Sequence, residues 1–277
     1  MRHGPQPSTA FTLIELLVVI SILGILAYLT TPAIKNFGKS DATLSASRQL
    51  LDDVARARQL AIGQRTTVYM VFIPANFWAD GTGNPSTWYN SLTTNSLTAV
   101  TNLFDKQLTG YTFIAKGAMG DQPGNHQWHY LAPWQNLPDG TFIAANKFML
   151  PGQYYSIAQY DPNIRIYGFN TNNSTIPFPT ATNTPASTPD LPTLPYIAFN
   201  YLGQLTVDGV NLAPLDEYIP LAKGSVLLAR DSATKALQLG PPYISEMPPG
   251  NSTNSAYNIV HVDRLTGRAV LEFQKLK

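Results

Sequence analysis

The chain has 277 residues, of which 44% are hydrophobic and 13% are charged, and its formal net charge at pH 7 is +1. That is enough material for one sizeable globular domain, and a charge so close to zero gives no sign of an obligatory polyanionic partner. Cysteine is absent, which excludes disulfides, thiol catalysis and zinc sites built on thiolates.

The N-terminal region consists of a short polar start followed by a long apolar segment. Residues 1–10 carry Arg2 and His3 and no apolar run, whereas residues 11–29 are mostly apolar and contain one charge, Glu15. A helix over residues 11–29 would be about 28 Å long, enough to cross the hydrocarbon core of a bilayer. A carboxylate at the centre of such a helix costs roughly 2.5–3.5 kcal/mol on insertion, so Glu15 is predicted to be functional and to need a partner.

The run Phe11-Thr-Leu-Ile-Glu15-Leu-Leu-Val-Val-Ile20 resembles the processing and assembly signature of type IV pilins and type II secretion pseudopilins. The resemblance implies that a prepilin peptidase cuts between Ala10 and Phe11 and that the new amino terminus is N-methylated. It also implies that Glu15 pairs with the Phe11 amine of a neighbouring subunit. The family usually carries Gly before the cut, and this chain has Ala10 there.

By the same resemblance, the protein would be a single-pass protein of the bacterial inner membrane with a periplasmic globular domain, and would then enter a pseudopilus or pilus. Two other interpretations stand beside it. A secretory signal peptide would end in an Ala-x-Ala-like site, and residues 24–31 offer no clean one. A plain membrane anchor is the stronger alternative, because a carboxylate near one end of the span is tolerated there. That alternative leaves the rest of the ten-residue match without a role.

The first helix is expected to be interrupted at Pro32, because proline lacks an amide hydrogen and its ring clashes with the preceding turn. A bend or local melting is therefore predicted near Thr31, and the resemblance implies that Pro32 matches a proline at which pilin helices loosen during assembly. Ser40 or Asp41 is then expected to cap an amphipathic helix that ends at Gly63. The predicted apolar stripe of this helix consists of Leu44, Ser47, Leu51, Val54 and Ala61.

Short β-branched and aromatic runs between Gly and Pro residues predict an antiparallel sheet on which this helix lies. The predicted strands are Thr66–Ile73, Tyr111–Lys116, Gly140–Leu150, Ile164–Phe169, Tyr196–Tyr201, Ser225–Arg230, Ala236–Leu239, Tyr257–Val262 and Arg268–Phe273. The last two strands flank residues 263–267, which predict a hairpin with a turn glycine. Residues 171–195, rich in Thr, Asn, Ser and Pro, are predicted to form an exposed loop.

The predicted fold class is α+β and pilin-like, with a long N-terminal transmembrane and amphipathic helix packed on an antiparallel sheet. The predicted division is a leader at 1–10, a transmembrane helix at 11–38 and a globular domain at 39–277. Residues 50–68, 197–203 and 259–268 resemble the helix end, an inner strand with its glycine and the closing hairpin of H-type minor pseudopilins. With the N-terminal run, these motifs cover well under half of the chain, and residues 74–195 are longer than that family usually carries.

Few other motifs carry chemistry. His126 and His129 lie near Asp121, but one metal ion needs more converging ligands than these, and residues 80–84 are more typical of a tight turn than of a calcium loop. The sequence contains no catalytic constellation, and no cofactor or metal site is predicted. The four tryptophans all lie in residues 74–139 and are expected to form a satellite core, with a glycan or partner surface as the alternative.

The C-terminal basic residues Arg264, Arg268, Lys275 and Lys277 are candidate DNA contacts. Because acidic residues lie in the same hairpin, binding to nucleic acid is expected to be feeble. The resemblance favours a minor pseudopilin of a type II secretion machine, in contact with other subunits, prepilin peptidase and a secretion substrate. The alternatives are a minor type IV pilin for adhesion or DNA uptake, and a membrane-tethered glycan- or calcium-binding module that does not polymerise.

Overall fold

The computed structural model describes residues 13–80, 82–92, 94–117, 121, 128–157, 164–171, 194–253 and 258–272. Side chains are not described at residue 95 or between residues 25 and 41. The chain divides into two compact units, Met1–Asp41 and Ala42–Lys277.

The described elements comprise helices, two 3₁₀ turns and short strands. The helices are α1 (Leu13–Gln64), α2 (Thr87–Asn90) and α3 (Thr94–Thr101), and the 3₁₀ turns are Phe104–Lys106 and Ala145–Phe148. The strands are β1 (Val68–Phe72), β2 (Gly110–Lys116), β3 (Trp128–Tyr130), β4 (Gln135–Asn136), β5 (Thr141–Ile143), β6 (Tyr154–Ser156), β7 (Arg165–Tyr167), β8 (Tyr196–Phe199), β9 (Leu205–Thr206), β10 (Glu217–Leu227), β11 (Tyr243–Glu246), β12 (Asn258–Val262) and β13 (Ala269–Glu272). The predicted α+β class with antiparallel sheets is confirmed.

Helix α1 runs without a break through Pro32 and on to Gln64. The predicted melting near Thr31 and the predicted new helix start at Ser40 or Asp41 are therefore wrong, and Gly63 lies inside the helix. An interior proline costs one backbone hydrogen bond and some steric strain. Those costs are local, and the helical conformation continues on both sides of Pro32.

The described strands of the first sheet follow the order β3-β2-β1-β8-β9, with β4 pairing beside β3 on β2. Strand β1 is central and antiparallel to both neighbours, with Met70 opposite Phe113 on one side and Ile197 on the other. All five residues of β1 are buried. Both faces of the sheet are therefore covered, which explains why its sequence is continuously apolar rather than alternating.

One face of this sheet packs on the second part of α1. Ala46, Leu50, Val54, Ala57 and Ala61 are fully buried and share one core cluster with residues of β1, β2 and β8. The predicted stripe was partly wrong, because Leu44 is exposed and the buried face includes Ala46, Leu50 and Ala57 instead. Small alanines on this face let the helix approach the sheet closely.

The opposite face carries an aromatic layer. Trp78, Trp88 and Trp128 are buried with Tyr69 and Val71 of β1, and Trp134 packs against the same cluster. The expectation of a tryptophan-rich satellite core is confirmed. These rings lie on the face of the sheet that α1 does not cover.

The second sheet follows the order β11-β10-β12-β13 in the described residues, and β5 also pairs with β10. The predicted hairpin is confirmed as β12 and β13, in which His261 lies opposite Val270. The strand predicted at Ser225–Arg230 begins much earlier, at Glu217. Pro220 concealed the early part, because a proline within a run argues against a strand. In the fold, Pro220 uses only its carbonyl towards β5, accepting the Ala144 amide at 2.9 Å.

Two other predicted strands are shorter in the structure or absent from it. The strand predicted over residues 140–150 stops at Ile143, since Ala145–Phe148 turns as a 3₁₀ helix and buries the Lys147 side chain. Residues 236–239 form only an isolated bridge between Arg230 and Leu237. A turn held by Asp231, which accepts the amides of Ala233 and Thr234, occupies this region. Most of the loop predicted at 171–195 lies outside the described residues.

Candidate assembly surface

The start of α1 presents a continuous apolar surface. Every side chain described between Leu13 and Gly24 is exposed, and its large aliphatic residues are between 48% and 83% exposed. Isolated surface aliphatics are ordinary, but a contiguous stretch of them marks a surface that another molecule or a membrane covers. This stretch is a candidate assembly surface.

Glu15 lies in the first turn of α1 and is its one acidic residue there. A carboxylate at this position is favoured by the helix macrodipole, because unpaired backbone amides give the N-terminus partial positive charge. The other polar side chain nearby, Ser21, donates its hydroxyl to the Leu17 carbonyl at 2.8 Å and so satisfies itself within the helix. Glu15 is therefore the ionic feature of an otherwise aliphatic surface.

The structure describes the other predicted N-terminal site residues only in part or not at all. Ala10 and Phe11 lie outside the described residues, and for Pro32 the structure describes the helical backbone but not the side chain. Among the residues that the structure describes, no helix combines the length and the apolar character needed to span a membrane.

The second part of α1 is tied to the first sheet by a buried polar network. Tyr111 donates its hydroxyl to Asp53 at 2.5 Å, and Gln49 donates to both the Tyr111 hydroxyl and the Asn136 carbonyl at 2.8 Å. Burial raises the pKa of Asp53, and burial together with the neighbouring carboxylate raises the pKa of Tyr111. Sequence reasoning missed this network; the i, i+4 spacing of Gln49 and Asp53 on one helix face was its only signal.

The end of the helix also holds two turns. Arg58 donates its Nε to the Thr266 carbonyl at 2.7 Å. Thr266 and Gly267 belong to one of these turns, and Gly203 belongs to the other. Gly267, at φ 62°, lies so close to Gly203 that an added Cβ would be 2.0 Å from the Gly203 carbonyl oxygen. A Cβ on Gly203, at φ 78°, would come within 2.7 Å of Ile62. The three segments that resemble H-type pseudopilins therefore meet at one place in the fold.

His261 on β12 lies between two carboxylates. Its Nδ1 is 2.8 Å from Glu272 and its Nε2 is 3.1 Å from Asp216, and its ring stacks on Tyr218. This arrangement fixes the imidazole against β10 and β13 and brings together no nucleophile.

The candidate DNA contacts are only partly described. Arg264 donates Nη1 to the Pro214 carbonyl at 2.6 Å and its amide to Asp216 at 2.9 Å, so it supports the fold. Hydrogen bonds from the Thr266 side chain and amide lower the pKa of Asp263, which keeps a negative charge in the same hairpin. Arg268 lies in this hairpin as well, whereas Lys275 and Lys277 lie outside the described residues. The expectation that nucleic-acid binding is feeble stays a prediction.

A buried ion pair lies on the second sheet. Lys147 is fully buried, donates to Glu217, donates to the Tyr167 carbonyl at 2.6 Å and lies 4.6 Å from the Phe169 ring centroid. Burial lowers the pKa of Lys147 and raises the pKa of Glu217, and the attraction between the two charges opposes both shifts. Sequence reasoning missed this pair, because Lys147 sits in an apolar run and Glu217 lies 70 residues away.

The other loop candidates have structural roles in the part of the chain that is described. Asp80 accepts the amide and hydroxyl of Thr82 and the amide of Asn84, which makes residues 80–84 a tight turn and lowers the pKa of Asp80. His129 lies 3.4 Å from Asp121. No group of three metal-ligating side chains occurs among the described residues.

The described N-terminal segment is thus an exposed aliphatic helix with a carboxylate in its first turn, in a chain that also folds into an α+β unit. The comparison with protein families agrees. The family model for the prokaryotic N-terminal methylation motif matches residues 7–27, which supports the type IV pilin and pseudopilin family. No curated protein and no solved structure matches the chain.

Proposed function

We propose that this protein is a minor pseudopilin-like subunit of a type II secretion pseudopilus and polymerises through its N-terminal helix. The role is structural rather than enzymatic. The observation that carries the proposal is the match of residues 7–27 to the methylation motif. Within this segment, Glu15 lies in the first turn of a helix whose aliphatic side chains are exposed.

In this proposal, prepilin peptidase cuts between Ala10 and Phe11, and the freed amine of Phe11 on an incoming subunit is attracted to Glu15 of its neighbour. In a low-dielectric membrane, such a pair is strongly favoured over an unpaired carboxylate, so it sets the axial position of each subunit. The exposed aliphatic side chains then pack against those of neighbouring helices. Before assembly, the same segment holds the protein in the inner membrane by a single span, with its globular domain in the periplasm.

The choice of a minor, H-type subunit is supported by the meeting of three motif segments. Arg58, the Gly203 turn and the Thr266–Gly267 turn contact one another at the end of α1. These contacts fix how the closing hairpin lies on the helix. All of these contacts lie within the unit Ala42–Lys277.

The test compares two substitutions of Glu15 in the native host. Glu15→Gln removes the charge at nearly constant shape, whereas Glu15→Asp keeps it, and Ser21→Ala serves as a control on the same helix. We expect Glu15→Gln to insert into membranes normally but to enter sheared or crosslinked filaments at least ten-fold less than the parent protein. The control should assemble normally, and Glu15→Asp should retain most assembly.

Normal incorporation of the Glu15→Gln variant would refute the pairing role. A deletion strain distinguishes the two machines. The proposal expects loss of type II secretion with surface pili intact, and loss of pili or of DNA uptake with secretion intact would favour the minor type IV pilin.

A further inference from the structure

A groove of about 420 Å³ lies beside the second half of β10. One wall is the edge of β10 from Gly224 to Leu228, and the facing wall comes from residues 104–109 and 136–139. The ion pair between Arg230 and Asp105, at 3.3 Å, joins the two walls. The groove belongs to the second unit and lies apart from the N-terminal segment in sequence.

Beyond Gly224, the wall formed by β10 is a strand edge at which no strand of the described residues pairs. The Met247 amide donates to the Lys223 carbonyl at 2.9 Å, so β10 directs the backbone groups of its odd-numbered residues towards β11. Even-numbered residues face the opposite edge, where the Gly224 amide donates to the Gly140 carbonyl at 3.0 Å. Strand β5 pairs with β10 only as far as Lys223. Val226 therefore directs its amide and its carbonyl to an edge at which no described strand pairs.

The same alternation gives a short ladder of backbone groups at this edge. The Gly224 carbonyl, both groups of Val226 and the Leu228 amide are spaced as in a strand that receives a neighbour. Natural proteins usually protect such edges with a charge, a proline or a bulge. Residues 225–228 are Ser, Val, Leu and Leu, so this part of the chain carries no charge and no proline, and residues 104–109 and 136–139 face it across the groove.

A second observation at the groove is an unsatisfied hydroxyl. Thr141 lines the groove, is only 2% exposed, and its Oγ1 has no hydrogen-bond partner among the described residues. A buried hydroxyl without a partner costs free energy, and such groups are uncommon in folded proteins. A ligand with a polar group near the end of β5 would satisfy it.

We propose that this groove binds an extended polypeptide segment of another protein, which adds one strand to the free edge of β10. An alternating row of backbone donors and acceptors is complementary to another extended backbone, and it is not complementary to a helix or a lipid. The inference does not depend on the proposed role in a filament.

The test uses phage-displayed random twelve-residue peptides, selected against the full chain in detergent micelles. Val226→Pro removes the amide that the ladder needs without removing a hydrogen bond within the protein. Ile244→Pro is the matched control, because Ile244 lies opposite Val226 and directs its amide to the outer edge of β11. Melting temperatures of both variants are measured first, so that binding is compared only between folded proteins.

We expect selected peptides to bind the parent protein and the Ile244→Pro variant within about two-fold of each other, and the Val226→Pro variant at least ten-fold more weakly. Methylation of alternate backbone amides within a selected peptide should weaken binding by a similar factor, and this result does not depend on the variant folding. Deuterium exchange of the Val226 and Leu228 amides should slow when the peptide is bound. Failure to select any peptide, or equal binding by both proline variants together with no effect of peptide methylation, would overturn the proposal.

Discussion

Lys147 is a single buried residue whose ion pair with Glu217 affects the stability of the second sheet. Its ammonium group is enclosed by Glu217, the Tyr167 carbonyl and the Phe169 ring, and no part of its side chain reaches solvent. A buried ion pair is weak evidence of net stability, because desolvation offsets most of the attraction. Loss of one partner is different, because it leaves the other charge unpaired.

We predict that Lys147→Met lowers the free energy of unfolding by about 3 kcal/mol, as typical for breaking a buried pair. The double variant Lys147→Met with Glu217→Gln should recover much of that loss, because the remaining group is then neutral. Lys116→Met is the control at an exposed lysine, with an expected change of about 0.5 kcal/mol or less. Chemical denaturation measures all three. A double variant no more stable than Lys147→Met would show that the charge on Glu217 is not the cause.

Residues whose role depends on a distant partner could not be assigned from the sequence. Glu15 could be found from the sequence, because a charge in an apolar run is conspicuous. Lys147, Gln49 and Asp53 could not, since their roles depend on partners that only the folded chain brings close. The side-chain contacts at His261 were equally hidden, although its strand was predicted.

At the scale of elements, the closing hairpin is held against the helix by close backbone approach. The hairpin and the strands β1, β2 and β8 were predictable, because periodicity and turn glycines mark them locally. The full length of β10 was not predictable, because Pro220 argued against a strand there. The early end of β5 was not predictable either, because a 3₁₀ turn that buries Lys147 follows it. Continuity of α1 across Pro32 was also missed, because an interior proline can kink a helix without ending it.

Alanine substitutions at two glycines test separately the close backbone approach of the hairpin and the helix propensity of α1. Gly267→Ala should lower the free energy of unfolding by about 2 kcal/mol or more, because φ is positive there and the new Cβ would meet the Gly203 carbonyl. Gly63→Ala should raise it by up to about 1 kcal/mol, because Gly63 is helical with nothing within 4 Å of an added Cβ. Thermal and chemical denaturation provide the measurement. Equal effects of the two changes would contradict the packing of the hairpin on the turn.

At the scale of the whole molecule, the two compact units differ in how far their apolar side chains are buried. The unit Ala42–Lys277 contains the buried core, including the buried face of α1. The unit Met1–Asp41 exposes the aliphatic side chains that are described in it. This contrast agrees with the proposed role, in which the N-terminal helix assembles and the second unit forms the globular domain.

A chain beginning at Lys39 should therefore be soluble and folded, since it keeps Ala46, Leu50 and Val54 on the sheet. A chain beginning at Thr66 should aggregate, because it leaves Met70 and the rest of that sheet face uncovered. Size-exclusion chromatography and circular dichroism compare the two. If both are equally soluble and folded, the helix does not cover the sheet in the way described.

The most direct measurement of the central claim is the intact mass of the protein purified from membranes of its own host. We expect loss of Met1 to Ala10 and one added methyl group on Phe11, as the methylation motif at residues 7–27 implies. Protein from the same host without its prepilin peptidase should keep the leader and lack the methyl group. An intact leader and an unmodified amino terminus in the host with an active peptidase would contradict the account and favour a plain membrane anchor.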